Sequence, residues 1–544
     1  MTPAIKGVIK KGLYRDSLQL MKLSEEAKNI PGVLNAAILM ATEINMEILR
    51  QQGLLTPELD KASPDDLVVA VKAEDEEKAE EAIAKIEEML LKTPTGTGLE
   101  DMEDVVYSID SALQYMPDAN LALISIPGEY VKDVGMELLR RGVHLHIFSD
   151  HVPLEDEAEL KRFAYENGLL VLGPAAGTSI INGKAIAFAN AVKRGEVGIV
   201  AAAGTGLQEV SVLLDRVGLG TSQGLGIGGN DVKEKVGGLM ALTCIRVLQQ
   251  DENTKVIVFI SKPGDRRVMT KILKTVEHEV DKPFIACIQG TARYKIPPKL
   301  RRRIKIVKGL HAAASETLRA VKPKESKQML KNITKTPAEL LKTARSIYIK
   351  LTPRQKYVRA LYTGGTLMYE SLLIYKQLLG GVYSNAPLDE KHRLQDPHRS
   401  YKHTAIDLGA EEFTRGRPHP MIDPTVRGFR LVNEAKDPEV AVVVMDFMLG
   451  YGVHKDPAGA MLSPIREAKA IASADGRELV ILAHVCGTRN DPQNLQEQEN
   501  KLRNEGVYTF PSNSLAVITS ALIASRGRVN RRKLQQVYRE YVGG

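Results

Sequence analysis

Apolar and polar positions along the chain switch repeatedly between a period of two and a period near 3.6 residues, which predicts alternating strands and helices. In the first part of the chain this pattern predicts strands at 4–16, 33–42 and 66–72 and helices at 17–28, 43–51 and 76–92. Such an alternation within a short stretch indicates a small ferredoxin-like α+β domain at residues 1–95. Thr93 to Gly98 is rich in Gly, Thr and Pro and is predicted to be a linker.

Residues 96–194 show buried apolar runs separated by helical segments, which predicts a parallel, Rossmann-like domain. Its strands are predicted at 121–126, 143–148 and 169–172, with ligands at their carboxyl ends. No G-x-G-x-x-G motif follows a strand here, so a nicotinamide or flavin site is not expected.

The segment 195–215 reads as strand, tight turn and helix. Val197 to Ala202 is an apolar run, and Gly204, Thr205 and Gly206 allow a ligand to approach the backbone closely. A helix then begins, so free N–H groups and a positive dipole end meet at the turn, which favours phosphate. Glu209 follows in the first turn of the helix. It could cap the helix, bind a cation or orient a histidine.

The same Gly-Thr-x-x-x-Glu pattern returns at Gly365, Thr366 and Glu370. Three further strand segments follow each copy in the same order, so one α/β domain is predicted to occur twice, at 195–320 and at 355–527. Residues 321–354 are interpreted as a linker and 528–544 as a basic, helical tail. The fold class is therefore α/β and multidomain: a Rossmann-like domain and two flavodoxin-like domains after the N-terminal α+β domain.

Composition narrows the classes of function. The net charge of +7 suits anionic metabolites, and the basic segment near 293–308 lacks interleaved aromatic residues, so no nucleic acid is expected. Lys10, Lys11 and Arg15 would suit an anion, although solvated side chains at a strand end explain them more simply. Three cysteines without metal spacing fit a reducing compartment, and the absence of a long apolar run indicates no membrane span. A cytoplasmic protein without a metal site is expected.

Candidate chemistry lies at strand ends and helix starts. His311 sits between small residues at a predicted helix start, where imidazole could accept a phosphoryl group; a capping histidine is the alternative. The second repeated domain carries more polar groups at strand ends, and we predict these as substrate-binding: Asp407, Arg417, His419, Asp423, Gly487 and Thr488.

These motifs resemble a known group of enzymes. Residues 104–320 resemble the α subunit of succinyl-CoA synthetase, through Gly173-Pro174, Gly204-Thr205 with Glu209, and Gly226 to Gly229. Residues 355–527 resemble the ligase domain of its β subunit. With Gly177 to Gly183 and Gly487-Thr488, the whole arrangement is similar to the FdrA family of acyl-CoA synthetase-like proteins.

The resemblance implies a ligase-like enzyme that activates or transfers an acyl group through a phosphate-linked intermediate. It implies His311 as a phosphohistidine, Glu209 as the acid that orients it, and phosphate binding at both Gly-Thr turns. CoA, phosphate or carbamoyl phosphate would be the ligands of a small-molecule acyl or carbamoyl substrate site. We also expect a homo-oligomer and partner subunits.

Two departures leave alternatives open. No glycine-rich CoA loop is found near 98–110, and no ATP-grasp domain is present in this sequence. Both departures favour a carbamoyltransferase component that takes carbamoyl phosphate and an oxamate or ureide acceptor of purine–allantoin breakdown. A non-catalytic scaffold subunit is the third reading.

Overall fold

The computed structural model describes residues 3–92, 106, 108–290 and 297–543. Two units form: residues 1–115 with 409–423, and residues 116–408 with 424–544. The predicted linker at Thr93–Gly98 and residues 291–296 of the basic segment lie outside the described residues. In the described ranges, no helix combines the length and the apolar character needed to cross a bilayer.

The first unit contains an antiparallel sheet of order β1-β3-β2, covered by helices. Its first helix begins where predicted because Asp16 accepts hydrogen bonds from the amides of Leu18 and Gln19. Alternate strand residues face the helices and form the core, as expected for a half-buried sheet. The elements are β1 Ala4–Lys10, α1 Ser17–Lys28, β2 Val33–Met40, α2 Glu43–Gln51, β3 Leu67–Ala73, α3 Glu76–Lys92 and α4 Ile109–Tyr115.

The second unit opens with a parallel sheet of order β4-β5-β6. The hairpin that follows joins the next sheet instead, so the predicted boundary at 194 does not coincide with a break between sheets. The elements of this region are β4 Leu121–Ile124, α5 Val131–Arg140, β5 His144–Ile147, α6 Leu154–Glu166, β6 Val171–Leu172, β7 Thr178–Ile181 and β8 Lys184–Ala187.

The first ligase-like half forms a sheet of order β13-β12-β11-β9-β10, extended by β7 and β8. Its strands are near-continuous apolar runs because helices cover both faces. The elements are β9 Arg194–Ala201, α7 Gly204–Arg216, β10 Thr221–Gly226, α8 Leu239–Gln250, β11 Val256–Ser261, α9 Arg266–Glu279, β12 Phe284–Ile288, β13 Ile304–Val307 and α10 Leu310–Val321.

The segment between the halves is largely helical: α11 Ser326–Met329 and α12 Pro337–Tyr348. Thr336 and Glu339 form a capping box at the start of α12, which explains why a helix begins in this lysine-rich stretch. The predicted linker therefore contains a well-capped helix that packs on the second half.

The second half repeats the first in strand order, β18-β17-β16-β14-β15. Strand by strand it matches β13-β12-β11-β9-β10, so the predicted duplication is present in the topology. The elements are β14 Tyr357–Tyr362, α13 Gly365–Leu379, β15 Thr404–Asp407, α14 Glu411–Thr414, α15 Thr425–Ala435, β16 Val440–Met448, α16 Pro457–Ala474, β17 Val480–Cys486, α17 Leu495–Asn504, β18 Tyr508–Phe510, α18 Asn513–Ala524 and, in the predicted tail, α19 Arg531–Tyr541.

One stretch departs from the predicted domain limits. Residues 409–423, which include α14, group with the N-terminal unit although the sequence places them inside the second half. The sequence pattern does not predict this grouping, because periodicity reports only on residues close together in sequence. The loop 409–423 makes its contacts with residues that are far away in sequence.

Candidate anion-binding site

The turn after β9 leaves three backbone donors open. In the second unit as described, the amides of Gly204, Thr205 and Gly206 have no hydrogen-bond partner. They begin α7, whose dipole adds partial positive charge at the same point. A side chain added at Gly204 would meet nothing closer than 3.6 Å, so space is available beside these amides. The turn is suited to an oxyanion.

The matching turn after β14 is filled by the protein itself. Asp446 accepts hydrogen bonds from the amides of Thr363 (2.8 Å) and Gly364 (2.8 Å), and the buried Arg427 in turn binds this carboxylate. Of the two residues predicted to bind phosphate here, Gly365 has an amide without a hydrogen-bond partner in the second unit as described, and its phosphate binding stays a prediction. The Thr366 amide donates to the Thr205 hydroxyl oxygen at 3.2 Å.

Strand register explains why one turn is open and the other filled. Val200 pairs with Phe259 in the first half, and Leu361 pairs with Met445 in the second. The next residue along is Ile260 in the first half and Asp446 in the second. An apolar side chain thus occupies in one half the place from which a carboxylate fills the turn in the other.

Loops from several elements converge on the open turn. The position of a side chain at Gly204 lies 3.6 Å from the Thr178 hydroxyl oxygen, and that at Gly206 lies 3.2 Å from a methyl carbon of Thr366. On the α13 side, the Asp407 carboxylate lies 2.5 Å from the side-chain position of Gly365. The two turns therefore adjoin, and the Rossmann-like region contributes to the same place.

Glu209 forms a buried pair with His484 of β17. Its Oε2 lies 2.5 Å from His484 Nε2, and its Oε1 accepts from the Asn513 amide at 3.2 Å. Burial by itself would raise the pKa of Glu209, but His484, the Asn513 amide and Arg216 together hold it below its ordinary value. Glu209 is thus an ionised carboxylate at the junction of the two halves.

Glu370 holds the corresponding place in the second half without a cationic partner. It accepts from the Leu310 amide (2.8 Å), Asn513 Nδ2 (2.9 Å) and the Ser514 hydroxyl (3.0 Å). Burial raises the pKa of Glu370 to about 7, although these donors oppose the shift. The strand opposite carries Cys287 at the register position of His484.

A full-length relative decides the family. The chain is 42% identical over 511 residues to the Escherichia coli protein YahF, covering 94% of this chain and 97% of that protein. The chain belongs to the FdrA family. Two family models match in addition: "AllF, heavy metal-associated domain" at residues 1–105 and "CoA-ligase" at residues 361–523.

More distant relatives of this FdrA-family chain are acyl-CoA ligases. The α subunit of succinate–CoA ligase [ADP-forming] from Aquifex aeolicus is 33% identical over 179 residues, which is 32% of this chain and 57% of that subunit. Among solved structures, the apo acetyl-coenzyme A synthetase 1 of Ca. Korarchaeum cryptofilum is 16% identical, covering 80% of this chain and 86% of that one at a TM-score of 0.28. The "CoA-ligase" family model and the sequence similarity to succinate–CoA ligase show that the chain has a succinyl-CoA synthetase-like CoA-ligase domain.

The FdrA-family chain does not pair Glu209 with His311. His311 is fully buried at the start of α10, where its Nδ1 lies 2.7 Å from the Ser512 hydroxyl and its Nε2 has no protein partner. Burial lowers the pKa of His311 to about 4, despite the opposing charge of Glu209, so the ring is neutral. The histidine that Glu209 binds is His484, and its role in orienting His311 stays a prediction.

The predicted substrate-binding residues are divided between the units. Arg417 and Asp423 form an ion pair at 3.0 Å in the first unit, where the buried His419 also lies. Asp407 belongs to the second unit. Burial lowers the pKa of His419 to about 4, so it is a neutral ring.

Gly487 and Thr488 are occupied by protein contacts. Arg216 donates to the Gly487 carbonyl, while the Thr488 amide and hydroxyl bind Asp491 and the Ala191 carbonyl. Arg216 and Ala191 lie outside the second half, so their bonds join Gly487 and Thr488 to earlier parts of the chain. Substrate contact by these two residues stays a prediction.

Three residues of interest were not among the predicted site residues. Lys262, directly after β11, places its ammonium 5.1 Å from the ring centre of Tyr369 in the first turns of α13. Asp446 and His484 lie near strand ends at which the sequence analysis expects polar groups. Nothing in their spacing along the chain indicates which residues they bind. In the described ranges, Glu209, His484 and Cys486 are the one trio with metal-ligand atoms within 4.8 Å of each other. The short bond between Glu209 and His484 already uses two of those atoms.

Proposed function

We propose that this FdrA-family protein is an enzyme that activates or transfers an acyl or carbamoyl group, with a phosphate of the donor bound at the turn 204–206. The observation that supports it best is the set of three open amides at the start of α7. An acyl phosphate or carbamoyl phosphate carries the dianion that such a turn binds, and its transfer needs a site that holds the leaving phosphate in place.

Neighbouring side chains suit the remaining part of such a donor. The Thr205 hydroxyl can donate to a phosphate oxygen while it still accepts from the Thr366 amide. Lys262 supplies a positive charge at the adjoining helix start. Asp407, beside Gly365, would accept from the N–H groups of a carbamoyl donor or of an amide acceptor.

A variant with a built-in anion tests the turn. Gly204→Asp places a carboxylate beside the open amides, in space that the backbone leaves free, and we expect phosphate binding at this turn to be lost. Gly204→Ala adds the same Cβ without charge and is the matched control. Isothermal titration with inorganic phosphate, acetyl phosphate and carbamoyl phosphate measures both; equal binding by Gly204→Asp and the wild type would refute the site.

Product analysis separates the candidate reactions. Phosphate release from acetyl phosphate that depends on CoA supports acyl transfer to CoA, and release from carbamoyl phosphate with an oxamate or ureide acceptor supports carbamoyl transfer. If Gly204→Asp abolishes phosphate binding but neither donor is turned over, the scaffold reading replaces the enzyme.

Phosphorylation of His311 stays a prediction. Its unpartnered Nε2 is a free nucleophilic nitrogen, yet the ring is buried, so a phosphoryl group could reach it only after α10 moves. Mass spectrometry after incubation with each donor tests this step, with His311→Asn as the control.

A further inference from the structure

The carboxyl ends of β1 and β2 meet at one edge of the N-terminal sheet. Both strands pair with β3, and Lys10 and Met40 stand opposite the same residue, Leu67. The loop 11–16 and the start of α2 at Thr42 therefore leave the sheet at the same end, on either side of β3. The loop around Gly416 packs there as well, because a side chain at Gly416 would lie 3.2 Å from the Thr42 methyl carbon.

Three buried hydrogen-bond donors at this edge have no partner in the first unit as described. They are the Arg15 Nε, the Thr42 hydroxyl and the Arg417 Nη1. The Arg417 side chain is only 8% exposed, and Asp423 binds its other terminal nitrogen at 3.0 Å. Buried donors are nearly always paired in folded proteins, so an unpartnered Thr42 hydroxyl and an unpartnered Arg417 Nη1, on two segments that contact each other, indicate a missing acceptor.

The start of α2 adds donors of the same kind. Thr42 is the N-cap residue but makes no side-chain cap. Within the first unit's described residues, the amides of Glu43, Ile44 and Asn45 have no partner either. A nine-residue helix thus directs open N–H groups and its dipole toward the edge that carries the unpartnered arginine nitrogens.

Three acidic groups near this edge are engaged by other protein groups. Asp66 accepts from the Gly12 amide and from Ser63, and Asp16 caps α1. Asp423 accepts a hydrogen bond from Arg417 Nη2 and so orients the guanidinium. The Nη1 of Arg417 stays available to an anion. Glu43, the first residue of α2, adds a carboxylate at this helix start, so the surplus at this edge is one of unpaired N–H and O–H donors and not of charge.

We propose that this edge binds the oxyanion group of a small molecule, a carboxylate or a phosphate, between Arg417, Thr42 and the start of α2. The family model for this region is described as heavy metal-associated, but residues 1–105 contain neither Cys nor His. Cationic nitrogens repel a metal ion and attract an anion. The domain is an anion-binding module in this chain.

Calorimetric titration of the full-length protein with inorganic phosphate, sodium succinate and zinc chloride tests the proposal. Thr42→Val keeps the shape and removes a hydroxyl that bonds nothing, so folding is preserved; we expect anion affinity to fall about tenfold or more. Arg417→Gln is expected to lower it further. Thr42→Ser keeps the hydroxyl, and Arg50→Gln removes a charge at the far end of α2; both should bind as the wild type does.

The anion that binds identifies the ligand class: phosphate alone indicates a phosphate ester, and succinate alone a carboxylic acid. The proposal is overturned if neither anion binds the wild type, if Thr42→Val and Arg417→Gln bind like the wild type, or if only zinc binds. The same titration on Gly204→Asp distinguishes this site from the turn 204–206. That variant should lose anion binding at the turn and keep anion binding at the N-terminal sheet edge.

Discussion

Glu209 and Glu370, at equivalent positions of the two halves, lie in opposite electrostatic environments. Glu209 faces His484 and stays ionised, whereas Glu370 faces Cys287 and has a pKa near 7. The motif Gly-Thr-x-x-x-Glu is the same in both copies, so the difference comes from the groups around each glutamate, chiefly His484 and Arg216 beside Glu209. Such a difference is visible only once the register of the strands is known.

Glu370→Gln should stabilise the protein at high pH. A carboxyl whose pKa is raised by folding from 4.5 to about 7 loses its stabilising protonation as the pH rises through this range. The cost above pH 7 is about 3 kcal/mol. We expect urea unfolding at pH 8 to show a gain for Glu370→Gln that disappears near pH 5. Glu209→Gln removes a carboxylate that the fold stabilises in its ionised form, so it should destabilise the protein at pH 8. A gain in stability there would contradict the ionised state of Glu209.

At the scale of elements, the sequence predicted the regular parts well. α1, α2 and α3 begin and end where predicted, because apolar periodicity and residues such as Asp16 mark them locally. The repeated halves were predicted because their motifs recur in order. The partners of Asp446 and His484, and the grouping of 409–423 with the first unit, depend on contacts between distant residues, which no local pattern encodes.

The Thr205 hydroxyl links α7 to α13 by a hydrogen bond. Thr205→Val removes the acceptor of the Thr366 amide and leaves that buried donor unpaired, which should cost about 1–2 kcal/mol. Thr205→Ser keeps the oxygen and should retain most of the stability. The urea midpoints of the three proteins measure this, and an unchanged midpoint for Thr205→Val would show that the Thr366 amide finds another acceptor.

At the scale of the whole molecule, buried neutral histidines set the response to acid. Burial lowers the pKa of His146, His311 and His403 to about 4. Each is uncharged in the fold and takes up a proton on unfolding below its ordinary pKa of 6.5, so its stabilising contribution is lost as the pH falls from 6.5 toward 4. The loss is about 3 kcal/mol per group, and Glu370 offsets only part of it.

We therefore expect the free energy of unfolding to fall steeply between pH 6.5 and pH 4. His403→Asn keeps an acceptor for the Val358 amide without a titrating ring and should flatten this slope. His398→Asn, at an exposed position, should leave the slope as it is. Equal slopes for His403→Asn and the wild type would exclude His403 as a source of the acid response.

Each glutamate of the pair reaches across to the last helix of the opposite half: Glu209 to the first amide of α18, and Glu370 to the first amide of α10. This exchange is what a two-fold symmetric dimer does at its interface, here achieved inside one polypeptide. Either half produced alone would expose an uncapped helix start together with an orphaned acid. We expect each half to be insoluble when it is expressed alone and soluble when both halves are co-expressed as separate chains.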